Sequence, residues 1–145
     1  MSSERSTGEE LSNWAIGGFG DLKVVAVSSQ PEQLRDRTKA FALRVIQLYR
    51  SLPYKTDAQV LGKQLLRSGT SVAANYRAVC RARSKAEFVA KIGVVVEEAD
   101  EAVLWLELMT ESGIVPLAKT EALLKEANEL TAIFAASQRT ARHTA

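Results

Sequence analysis

Side chains of the kinds that perform covalent or metal chemistry are scarce in this chain. His143 is the one histidine and Cys80 the one cysteine in 145 residues. His143 lies in a tail expected to fray and has no company of the sort a general base or metal ligand needs. Cys80, beside Arg77, Arg81 and Arg83, would have a lowered pKa and the reactivity that comes with it. Next to Val79 it is better read as a small buried apolar residue. Glu97 and Glu101, four residues apart, place two carboxylates on one helical face, as in di-iron bundles. Those sites also require Glu-x-x-His motifs on other helices, which this sequence lacks. A solvated or salt-bridging face explains the pair without a metal. No phosphate-cradling glycine loop and no nucleophile elbow occur. The residues therefore predict no catalytic centre, no metal or cofactor, and no small-molecule substrate.

Charge is the more informative feature. The net charge of +2 conceals a segregation along the chain. From Leu34 to Lys91, thirteen Lys and Arg stand against Asp36, Asp57 and Glu87, a local +10. From Ile92 onward four basic residues meet nine acidic ones, a local −5. Residues 1–33 carry two basic and five acidic residues, a local −3. Such a division points either to a polyanion partner or to surfaces that attract one another within or between chains. The candidate nucleic-acid contacts are Arg67, Arg77, Arg81, Arg83, Lys85 and Lys91, together with Arg37 and Arg44. The seven-residue step from Arg37 to Arg44 keeps both on one helical face, as tracking a phosphate backbone demands. Arginine predominates, and its planar fork suits bidentate phosphate contacts.

These groups must be positioned by helices. Few aromatics with abundant Ala, Leu and Val suit helix-on-helix packing. Ser29-Gln30-Pro31-Glu32 has the form of a capping box with proline in the first turn, and predicts the start of a first helix. Its apolar stripe is Leu34, Phe41, Val45, Leu48 and Leu52, with Thr38 in the remaining slot, and Pro53 ends it. Thr56-Asp57-Ala58-Gln59 is a second such box, opening a helix to about Arg83. Its stripe of Leu61, Leu65, Ser68, Val72, Tyr76 and Val79 stays in phase across Gly69-Thr70-Ser71, which predicts one unbroken helix. Small residues there would admit a neighbouring helix closely. Ser84-Lys85-Ala86-Glu87 opens the third, with Phe88, Ile92, Val95, Ala99, Ala102, Leu106 and Met109 inside and Gly113 as its terminator. A fourth begins at Pro116, carries Leu117, Leu123, Leu124, Ala127, Leu130 and Phe134, and frays from Gln138. Short connections imply antiparallel neighbours.

The fold class expected is all-α, an antiparallel up-and-down four-helix bundle over residues 29–138. Residues 1–28 are a Ser- and Gly-rich extension in which Asp21 to Val27 would be a short extended segment, and residues 139–145 a frayed tail. Asn75 is either a buried polar residue fixing register with a partner helix or an exposed one. Leu104, Trp105 and Leu108 widen the apolar arc of the third helix beyond what one core needs, which favours self-association through them. The lone cysteine, the missing basic leader and the carboxylates that interrupt the apolar stretch Ile92 to Met109 suit a cytoplasmic protein without a membrane span.

With these segments placed, Gln64-Leu65-Leu66-Arg67-Ser68-Gly69-Thr70-Ser71-Val72-Ala73-Ala74-Asn75-Tyr76-Arg77 resembles the signature of bacterial four helix bundle proteins. These are encoded by intervening sequences in 23S ribosomal RNA genes and are also called S23 ribosomal proteins. Ala82 to Phe88, Glu98 to Glu101 and Trp105 to Leu108 extend the likeness, which spans about Leu34 to Leu130. The family is similar to the accessory variability determinant of diversity-generating retroelements. The resemblance implies a bundle that assembles as a homopentamer and, for the retroelement relative, binding to a reverse transcriptase and to RNA or DNA. Carried onto matching positions, it supports Arg67, Arg77, Arg83 and Lys85 as basic contacts. Ala78 departs from the glutamate many relatives carry there, so an ion pair using that carboxylate is not expected.

Overall fold

The computed structural model describes residues 24–144, and four helices account for nearly all of them. They are α1 (Val24–Arg50), α2 (Thr56–Val79), α3 (Lys85–Glu111) and α4 (Leu117–His143). Three are 27 residues long, about 40 Å at 1.5 Å per residue. Each five-residue connection is too short to cross the bundle, so successive helices run antiparallel. Helix α3 packs most extensively, on α2 and on α4, while α1 lies against α2 and touches α4 only sparsely. The predicted stripes form the core. Phe41, Val45, Leu65, Val72, Tyr76, Phe88, Ile92, Leu106, Met109, Leu130 and Phe134 are all buried. Leu117 is an exception, about half exposed at the first position of α4.

Helix α2 is continuous through Gly69-Thr70-Ser71. A Cβ on Gly69 would stand 2.8 Å from Cγ2 of Val45, closer than carbon atoms can pack without displacement. Glycine here therefore trades helix propensity for a close approach of α1.

Of the three capping motifs only the third acts at a helix start. Ser84 is the N-cap of α3, and its side chain accepts from the Glu87 N–H at 3.1 Å. The reciprocal half is shifted by one residue, since the Glu87 carboxylate accepts from the Arg83 N–H rather than that of Ser84. Helix α2 starts differently from expectation. Its N-cap is Lys55, without a side-chain cap, and Thr56 is already helical. The Gln59 amide is spent on the preceding loop, donating to the Pro53 carbonyl and accepting from the Tyr49 hydroxyl. Helix α1 begins at Val24, so the extended reading of Val24 to Val27 is corrected, and Pro31 lies inside the helix. Pro31 is the eighth residue of α1, past the first turn, so its φ suits the helix but the backbone bond its N–H would make one turn back is given up. Asp21 to Lys23 and the rest of the predicted N-terminal extension lie outside the described residues.

Two C-terminal predictions divide. Helix α3 stops as expected: Gly113 takes a positive φ of 81° and the Val115 N–H returns to the Met109 carbonyl. Helix α4 does not fray at Gln138 but runs on to His143. Ser137 and Ala141 continue its inward face, both buried, and the Gln138 side chain donates to the Val89 carbonyl of α3.

A basic pole as the candidate functional site

The antiparallel topology brings three chain segments to one end of the bundle: the start of α1, the α2–α3 connection and the end of α4. Arg77, Arg81, Arg83 and Lys85 lie on the connection and its flanking turns, with the three arginines exposed. The continuation of α4 adds Arg139 and Arg142, both exposed, and His143. None of these guanidinium groups takes part in an ion pair among the described residues. The acidic groups nearby are Glu87, held by Lys91 at 3.6 Å and by the Arg83 N–H, and Glu32, 3.9 Å from Arg35. Among the described residues the end is thus dominated by positive charge without ion-pair partners.

Arg139 and Arg142 were missed because the polar sequence after Gln138 resembles a tail. The signal that would have found them is the step Leu130, Phe134, Ser137, Ala141, which keeps helical spacing through small residues.

The other predicted basic residues are not part of this pole. Arg37, on α1, makes a bidentate contact with Glu126 of α4, at 2.7 and 2.8 Å, and a further bond of 2.8 Å to Glu129. Arg67, on α2, bridges Glu98 and Glu101 of α3 at 3.1 and 2.6 Å. Both fasten one helix to the next and are engaged by carboxylates, so the shared face of Arg37 and Arg44 is not a free phosphate track. Arg44 stands further along the α1–α4 seam, beside Lys119, while Lys91 stays with Glu87. The carboxylate pair expected at Glu97 and Glu101 is divided: Glu101 joins Glu98 in holding Arg67, and Glu97 is exposed.

Glu126 is the best placed of these acids. Its hydrogen bond from Arg37 holds the carboxyl below the usual carboxylate range, against the opposing effect of partial burial. A depressed folded-state pKa stabilises the fold at neutral pH, and that contribution disappears as pH falls through the depressed value. Glu126→Gln is expected to cost about 1–2 kcal/mol at pH 7. The gap to the parent chain should close on acidification below about pH 4. Thermal melts between pH 3 and 7 measure it.

The Cys80 thiol is not activated, and Asn75 binds within its own helix. Cys80 is half buried, and desolvation pushes its thiol up rather than down, which supports the apolar reading. Asn75 uses its amide on the Ser71 carbonyl one turn back, at 2.9 Å, and fixes no register with another helix. Among the described residues, no group of three or more His, Cys, Asp or Glu could hold a metal ion. No described helix is long and apolar enough to cross a membrane.

On α3, Leu104 and Leu108 are 45 % and 40 % exposed, with Val94 at 42 % further along the same helix. Trp105 is half buried against the core edge. Its indole N–H is shut from solvent without an acceptor among the described residues, a deficit of about 1–3 kcal/mol.

The model of one family, described as 23S rRNA-intervening sequence protein, matches residues 33–136. That match covers all of the bundle but its outermost turns. The chain belongs to the 23S rRNA-intervening sequence protein family. A solved structure from Bacteroides thetaiotaomicron, described as a protein of unknown function from the S23 ribosomal protein family, superposes with a TM-score of 0.70. It is 31 % identical, and the alignment covers 76 % of this chain and 98 % of that one. No curated protein matches. The family thus accounts for the bundle, and for the Gln64 to Arg77 segment that crosses from the Arg67 clasp to the edge of the basic pole.

Proposed function

We propose that this member of the 23S rRNA-intervening sequence protein family is a non-enzymatic, homo-oligomeric protein that binds RNA or DNA backbone through the basic pole. The observation that carries this reading is the convergence of Arg77, Arg81, Arg83, Arg139 and Arg142 at one end, all exposed and none in an ion pair among the described residues. Folding spends Arg37 and Arg67 on acidic helices but leaves these groups to water, where phosphates compete well for an arginine fork. Among the described residues the pole offers no exposed aromatic for base stacking, so contact with the backbone, indifferent to sequence, suits it best. The intervening sequence of 23S rRNA in the family's name is in keeping with a nucleic-acid setting.

The apolar strip of Leu104, Leu108 and Trp105 supplies the oligomer in this reading, with five copies as the expected stoichiometry and the cytoplasm as the expected location. Leu104→Glu with Leu108→Glu should leave helicity intact and reduce the assembly to monomer, read by native mass spectrometry at micromolar concentration. A monomeric parent chain would sink the oligomer.

Binding is tested by mobility shift of duplex and single-stranded RNA and DNA across salt concentration. Phosphate contact predicts log affinity falling linearly with log salt, by about 0.9 per neutralised phosphate on duplex DNA. Absence of binding at low salt with the oligomer intact would leave the second reading. In that reading the chain is a scaffold whose basic and acidic faces meet each other, favoured by the Arg37 and Arg67 clasps.

A further inference from the structure

We propose that the acidic segment preceding α1, residues 1–23, folds back in cis into the groove between α1 and α4. The groove has a volume of about 460 Å³, within the range of clefts that seat small ligands. It exists because α4 presents Ala132, Ala136 and Ser137 opposite Gln33 and Leu34 of α1. Small residues at the facing positions leave a trough. The two helices touch least of all neighbours, and the Arg37 clasp to Glu126 and Glu129 ties them together beside the trough.

Length and chemistry point to the occupant. From Val24 to Arg37 along α1 is about 20 Å at helical rise, while ten residues of extended chain reach roughly 33 Å. Trp14 stands ten residues before Val24, so the segment can return along the whole groove. It carries Leu11, Trp14, Ile16 and Phe19 among Ser and Gly, apolar side chains that suit the Leu34, Ala132, Ile133 and Ala136 part of the lining. Its charged residues are Glu4, Glu9, Glu10 and Asp21 against Arg5 and Lys23, a net −2. The α4 lining of the groove, Ala132 to Ser137, runs on into the turn that carries Arg139 and Arg142, which have no ion pair among the described residues. Apolar contact would supply the affinity and the charge difference the direction.

The test reads Trp14 in the full-length chain and needs no nucleic acid, so it stands apart from the proposed function. Subtracting the emission of a Trp14→Phe chain from that of the parent isolates Trp14 from Trp105. Docking predicts blue-shifted emission and acrylamide quenching several-fold weaker than for a free indole. Ala136→Glu, at an exposed helical position, places a carboxylate in the trough and should return Trp14 to free-indole behaviour, with the helical circular dichroism unchanged. Free-indole quenching in the parent overturns the proposal. So does shielding that survives Ala136→Glu, which would put the segment elsewhere. Shielding lost on hundredfold dilution assigns the groove to a second copy and overturns docking in cis.

Discussion

Replacing Phe134 with alanine is expected to destabilise the bundle by about 3–5 kcal/mol. Phe134 is fully buried on α4, and its ring centroid lies 5.1 Å from that of Tyr76 on α2, tilted by 36°. The pair joins helices that are not neighbours in sequence, so the lost ring opens a cavity between elements no short loop holds together. Tyr76 is equally enclosed, and burial pushes its phenol well above the ordinary range, which marks how dry this layer is. The surrounding helices are held by Val72, Ile92 and Leu130, all with no exposed surface, and cannot collapse freely into the gap. In thermal denaturation at fixed protein concentration the midpoint should drop by about 10–25 °C. Phe134→Leu retains most of the volume and is expected to cost much less. Equal losses for the two variants would mean that the site relaxes, contrary to the packing described.

The stripe containing Phe134 was legible because a helix face repeats every three to four residues, and burial enforces that spacing wherever the core is continuous. Helix starts were less legible, for a definite reason. The S/T-x-x-E/Q pattern records which groups are available, not where they are used. Ser84 caps α3, but Gln59 turns back to the Pro53 loop, and the Ser29 pattern sits within α1. The end of α4 was hidden because Ser137 and Ala141 bury as well as leucine when helices approach closely, yet give no hydropathy signal. Charge followed the same logic. The seven-residue step from Arg37 to Arg44 gives a common direction along α1, but the partners that neutralise Arg37 lie 89 and 92 residues away. Only the third dimension separates Arg37 and Arg67 from Arg81, Arg83 and Arg142. The candidate site was therefore half visible, with the arginines of the α2–α3 connection found and those of α4 missed.

That separation sets the largest expected effect on binding. Arg81→Gln, Arg83→Gln and Arg142→Gln combined remove three exposed guanidinium groups that take part in no ion pair among the described residues. Stability should change little, because exposed side chains without partners contribute little to it. Binding behaves differently. If each group neutralises one phosphate, its loss reduces the slope of log affinity against log salt by about one. At 0.1 M salt each contact contributes about 0.9 of a decade, so three amount to roughly 500-fold on duplex DNA. Near 1 M salt the gap should vanish, because counterion release then has no driving force. The mirror variant, Arg37→Gln with Arg67→Gln, should reverse the pattern. It unfastens α1 from α4 and α2 from α3, leaving Glu126 and Glu98 partly buried without their cations. Its melting midpoint should fall while the salt slope stays that of the parent chain. Melting curves and salt titrations on the two variants separate a binding surface from a structural clasp among arginines the sequence alone presents as one group. Should the Arg37 and Arg67 pair lower the salt slope as much as the pole triple does, the phosphate path runs along the body of the bundle and the pole loses its special role.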